Sequence, residues 1–130
     1  MKQITQEMLK IYKPVSNLDW MNYHLVRKDV TFHHTQKKEV DGKRTIDNGA
    51  LLMPTSHQYL HLIECKDIET YVAINKIFMF VNRQQHEPTK EQREIVEYLL
   101  REFEESHKWD KNSKGKLVLQ RKYLKRNFEI

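Results

Sequence analysis

Residues 49–61 join two kinds of local structure across a very short turn, and this constrains the chain more than any other stretch. Gly49-Ala50-Leu51-Leu52-Met53 is a brief apolar run that reads as a β-strand. Pro54-Thr55-Ser56 follows as a helix start, with Thr55 or Ser56 as the N-cap and an expected helix over 57–63. Upstream, residues 24–34 hold Leu25, Val26, Val30, Thr31 and Phe32, so a first strand is expected to run into the pair His33-His34. The order strand, strand, helix is thereby set, and four of the seven histidines fall within residues 33–61 of it.

The flanks read as helices. Ile4, Met8, Ile11 and Tyr12 recur at helical spacing up to Pro14, and Leu18, Trp20 and Tyr23 form an aromatic plug for the core. Asp67 is placed to cap a helix whose apolar face carries Ile68, Tyr71, Val72, Ile74, Ile77, Phe78 and Val81, with Pro88 as its breaker. Thr89-Lys90-Glu91-Gln92 is a capping box, opening a helix with Ile95, Val96, Leu99, Leu100 and Phe103 that is expected to reach about Trp109. Its acids Glu91, Glu94, Glu97, Glu102, Glu104 and Glu105, with Arg101, read as a solvated face. A turn at 112–115 and a strand at 117–119 are expected in the basic tail. Together these predict an α+β protein with helix in excess, in one domain over 1–130.

The histidines carry the chemistry. His57 and His61 are four apart, so a helix presents both on one face, where they can close on a single ion. Neutral imidazole is the commonest metal ligand, and its proton also comes and goes near neutral pH. The full pattern is His-His-x13-Asn-x8-His-x3-His, with Asn48 as its middle member. In this pattern and in the run Asp47-Asn48-Gly49-Ala50-Leu51-Leu52, the chain resembles the HNH endonucleases of the ββα-metal group, especially in the arrangement seen in the nuclease colicins. The resemblance covers roughly residues 20–63 and implies an HNH core there. A helical buttress over 66–109 and a basic tail over 110–130 would lie outside it.

What the resemblance implies is specific. His33, His57 and His61 would ligate one divalent metal ion, and His34 would be the general base that takes a proton from water. Asn48 would support the loop between the strands. Adjacent strand residues face opposite ways, so His33 and His34 can serve one site only if the strand bends or ends there. Zn2+, Mg2+, Mn2+ and Ni2+ are the candidate ions. An all-imidazole set is softer than the carboxylate-containing sets of many HNH proteins and favours Zn2+, Ni2+, Co2+ or Mn2+ over Mg2+. The Cys-x-x-Cys pairs of other members are missing here, since Cys65 is the single cysteine.

Charge agrees with a polyanionic substrate. The net charge is +5 and the sequence pI about 9.3. Lys37, Lys38, Lys43 and Arg44 sit beside the histidines and are candidate nucleic-acid contacts, able to position a phosphate backbone without reading sequence. More lysine and arginine load the tail. DNA leads as partner, with RNA as an alternative. The lone cysteine suits a reducing cytoplasm, the first residues lack the apolar core of a signal peptide, and no apolar run is long enough to span a bilayer, so no membrane partner is expected.

The expected function is a metal-dependent hydrolase, an endonuclease cutting phosphodiester bonds in DNA. The alternative is the same scaffold used as a nucleic-acid- or protein-binding module, an inhibitor or regulator with a protein partner. A helical DNA-binding regulator built on residues 68–109 ranks third, because it leaves the five-residue pattern to chance. Strandedness, sequence preference, pathway and oligomeric state are left open by the sequence.

Overall fold

A computed structural model describes residues 3–13, 16–35 and 49–107. The expected 112–115 turn, the 117–119 strand and the rest of the basic tail lie outside the described residues. So do Asn48 and the loop residues Lys37, Lys38, Lys43 and Arg44. The described elements are α1 (Gln3–Tyr12), β1 (Thr31–His34), β2 (Gly49–Leu52), α2 (Pro54–Lys66), α3 (Ile68–Gln84) and α4 (Lys90–Ser106). Helices and a small antiparallel sheet make a mixed α+β arrangement. Among the described residues, no helix is long and apolar enough to cross a membrane.

The sheet has two strands, with Thr31 opposite Leu52, Phe32 opposite Leu51, His33 opposite Ala50 and His34 opposite Gly49. All four residues of β2 are buried, which explains why this strand is apolar throughout instead of alternating. The first strand is shorter than its β-prone run suggested. Leu25 and Val30 are buried as expected, but Arg27–Asp29 turns as a single 3-10 helix, closed by the Asp29 amide donating to the Val26 carbonyl at 2.9 Å. Three charged residues in a row gain nothing from a sheet interior, and they break the run. At the other end β1 stops at His34.

Gly49 marks a close approach. A Cβ there would run into the Phe32 ring and come within 2.9 Å of Met8 Sδ. Gly49→Ala is therefore expected to destabilise by about 1–3 kcal/mol through overpacking, seen as a lowered denaturant midpoint. An unchanged midpoint would show that Phe32 yields without cost.

The aromatic plug packs as expected. Trp20 is buried between Tyr12 and Phe78, edge-on, with ring centroids 5.1 and 5.7 Å away. Its amide donates to the Leu51 carbonyl at 3.0 Å, pinning the plug to β2. This cluster continues through Leu52, Leu60, Ile63, Ile74, Val96, Leu100 and Phe103, so α2, α3 and α4 share one core with the sheet.

Helix ends differ in how they are capped. Asp67 accepts from the Thr70 amide, and Thr89 and Gln92 form the expected capping box. Helix α2 does not use Thr55 or Ser56 as its N-cap. It begins at Pro54, with Met53 in the cap position and no side-chain cap of its own. Proline at the first helical position is pre-set for the helix, and the missing acceptor arrives from a remote residue. The Asp19 carboxylate accepts from the Met53 amide at 2.8 Å and from the Ser56 hydroxyl, as well as from the Met21 and Tyr23 amides at 2.8 and 3.0 Å.

The expected solvated face of α4 needs one correction. Glu97 is buried, pairing at its edge with Arg101. Glu104 reaches back to accept from the Tyr59 hydroxyl at 2.6 Å.

Candidate metal centre

Two elements bring three histidines together. Strand β1 supplies His33, which points into the protein and is 2% exposed. The chain turns at Met53 into α2, whose first two turns or so carry His57, half-buried, and His61, exposed. One ring nitrogen from each lies within 4.8 Å of the others. Ring centroids are 5.2 Å apart for His33 and His57, 5.6 Å for His33 and His61, and 4.8 Å for His57 and His61. The i,i+4 spacing in the sequence and the strand ending at the His pair are what place them so.

The tightest approach is between His33 Nδ1 and His57 Nε2, 3.4 Å apart. Zinc–nitrogen bonds of about 2.0–2.1 Å at a tetrahedral angle put two ligand nitrogens about 3.4 Å apart. This pair therefore already has ligand spacing. His61, with half of its side chain accessible, completes the group, with one ring nitrogen within 4.8 Å of the others. Three imidazoles on one ion leave a coordination position for an outside oxygen. The residues fit a divalent ion, and the set is buried at His33 and exposed at His61.

Each ring has a partner that holds it. His33 Nε2 lies 2.9 Å from Asn75 Oδ1, on α3. His57 Nδ1 lies 3.1 Å from Thr31 Oγ1, whose hydroxyl donates to the Leu52 carbonyl at 2.6 Å. His61 Nδ1 lies 3.1 Å from Glu64 Oε1, one helical turn on. Metal-bound histidines characteristically carry such outer partners, which fix the ring and raise its basicity.

Sequence reasoning named His33, His57 and His61 but none of these partners. Glu64 could have been found from its three-residue spacing to His61. Asn75 left a clearer signal, because it stands on the buried face of α3 among Tyr71, Ile74 and Phe78. A polar residue there needs a partner. Thr31 and Asp19 gave no comparable mark.

The remaining expected site residues are placed less fully. His34 closes β1 opposite Gly49, and only its backbone belongs to the described structure. Asn48 and the basic residues Lys37, Lys38, Lys43 and Arg44 lie outside the described residues.

No family model, no curated protein and no solved structure matches this chain. The reading of the site therefore stands on its own residues.

Proposed function

We propose that this protein is a metal-dependent endonuclease of the HNH type, with residues 20–63 as its ββα-metal core, hydrolysing phosphodiester bonds in DNA. The observation that carries the reading is the convergence of His33, His57 and His61 from a strand end and the first turns of the following helix. That is the order of elements the resemblance implies. Supporting it are the short β1, which ends at the His pair, and the open side of the cluster at His61.

In this reading His33, His57 and His61 hold one divalent ion, Zn2+, Ni2+, Co2+ or Mn2+ by ligand softness. When bound, the ion supplies positive charge at a phosphate oxygen and at the departing oxygen. His34 is the general base: its imidazole takes the proton of the attacking water, which is typically worth about 10²–10⁴-fold in rate. Asn48 steadies the loop joining the strands. Lys37, Lys38, Lys43 and Arg44 hold the backbone beside the scissile bond, with little preference for sequence. The chain acts where thiols stay reduced, in the cytoplasm.

The test is plasmid nicking by the purified chain. Conversion of supercoiled to open-circular DNA is expected with Zn2+, Ni2+, Co2+ or Mn2+ and is expected to stop with a chelator. Equal nicking with and without metal would overturn the proposal.

A second reading, a binding module on the same scaffold, is favoured by one observation. Ile68, Val72, Met79 and Phe80 on α3 and Ile95 and Tyr98 on α4 are all exposed, apolar side chains that a protein partner would cover. Tight capture of a purified protein partner, unaffected by His34→Ala, together with absence of nicking, would favour it over the enzyme.

A further inference from the structure

Helix α3 lies outside the strand, strand, helix unit, yet it touches the buried ligand along one face. Tyr71, Asn75 and Phe78 are spaced four and three apart, so they share a side of the helix. The rings of Tyr71 and Phe78 both meet the His33 ring edge-on, with centroids 6.2 Å away. Between them Asn75 Oδ1 sits 2.9 Å from His33 Nε2. Asn75 is itself 6% exposed.

An amide oxygen can only accept, so His33 Nε2 donates to it and carries the ring proton. In a neutral imidazole the other nitrogen then holds the lone pair, and that nitrogen is Nδ1, the one facing His57. The same reasoning applies to the other two rings. The only proton of the Thr31 hydroxyl goes to the Leu52 carbonyl, so Thr31 Oγ1 accepts from His57 Nδ1–H and the lone pair is at His57 Nε2. The Glu64 carboxylate accepts from His61 Nδ1–H, leaving the lone pair at His61 Nε2.

We propose that Asn75 is a positioning residue of the metal centre: by taking the Nε2 proton of His33 it makes Nδ1 the ligand atom, giving a mixed set of His33 Nδ1, His57 Nε2 and His61 Nε2. This rests on the metal reading of the cluster. It adds that the ligand set is completed by a helix beyond the ββα unit and that the three outer partners choose one nitrogen per ring. Nδ1 is the ring nitrogen nearer the backbone, so this choice draws the ion toward the sheet. A strand histidine bound through Nε2 would hold it farther out.

Two measurements test the assignment. In the metal-free wild-type chain, nitrogen NMR of the imidazoles, about two pH units above the ordinary histidine value, is expected to show His33 protonated at Nε2. A His33 proton at Nδ1 would overturn the proposal. Titration with Zn2+ alone is expected to show Asn75→Leu binding about 10–100-fold more weakly than wild type, the usual loss for an outer partner. Asn75→Asp, which restores an acceptor, should bind at least as tightly as wild type.

Equal affinity in wild type and Asn75→Leu would sink the role of Asn75 while leaving the metal site standing. Failure of the wild type to bind Zn2+ would remove both. Should Asn75→Leu not fold, the wild-type proton position and the Asn75→Asp affinity decide the matter.

Discussion

His34→Ala is expected to lower metal-dependent DNA cleavage by about 10²–10⁴-fold and to leave Zn2+ affinity as in wild type. His57→Ala is expected to do the reverse in order: the ion is lost first, and cleavage goes with it. Complete zinc sites in small domains are worth about 10–16 kcal/mol, so one ligand of three or four carries several kcal/mol. Its removal should weaken binding by roughly a thousandfold. The difference between the two variants matters more than either loss alone. A base acts on water and a ligand acts on the ion, and only the ligand variant should change the binding isotherm. If His34→Ala also loses Zn2+, then His34 belongs among the ligands and the division of labour between the paired histidines is wrong. If His34→Ala cleaves as fast as wild type, another group is the base.

The second large effect is on stability, at a residue far from the chemistry. The Asp19 side chain accepts four hydrogen bonds, three from backbone amides and one from Ser56. Its own carbonyl receives the buried Arg93 guanidinium at 2.9 Å, and Arg93 also bonds Asn22 and Glu87. Asp19→Ala leaves the Met21, Tyr23 and Met53 amides without this acceptor in a dry interior. The expected cost is about 3–5 kcal/mol, a large part of the about 5–15 kcal/mol that holds a domain together. Chemical denaturation measures it, and a loss under about 1 kcal/mol would show that water or the backbone replaces the carboxylate. Because Asp19 sets the start of α2, the helix bearing His57 and His61, any folded remainder should also bind Zn2+ more weakly.

The same carboxylate gives a pH signature. Burial pushes the Asp19 carboxyl above its ordinary value of 3.8, and its hydrogen bonds from Met53, Ser56, Tyr23 and Met21 pull against that rise. A group whose pKa is raised on folding takes up its proton more readily in the native state. Its contribution to stability is therefore fully present below the unfolded value and is lost as pH rises through the folded one. The stability margin of wild type over Asp19→Asn is expected to narrow as pH climbs from about 4. A margin that widens instead would mean that the hydrogen bonds outweigh burial.

Much of the centre was legible in the sequence because its spacing is local. The i,i+4 pair His57 and His61, the strand ending at His33-His34 and the short turn through Pro54 are all short-range patterns, and short-range geometry is what a sequence displays. The same holds for the capping box at Thr89 and the cap at Asp67. The misreadings have two origins, one a local turn and the others long-range contacts. Leu25, Val26 and Val30 suggested a longer strand, but the charged turn at Arg27, Lys28 and Asp29 intervenes while Leu25 and Val30 stay buried. Ser56 looked like an N-cap, yet its hydroxyl serves Asp19, thirty-seven residues away. Asn75 joins His33 across forty-two residues, and no local pattern reports such a pairing. Only its polar character on an apolar helix face hinted that something there needed a partner.

Anomalous scattering from crystals of the chain loaded with Zn2+ tests the central claim most directly. A single peak bonded at about 2.0–2.1 Å to His33, His57 and His61 is the predicted result. A peak held by other residues, or none between these three rings, would contradict it.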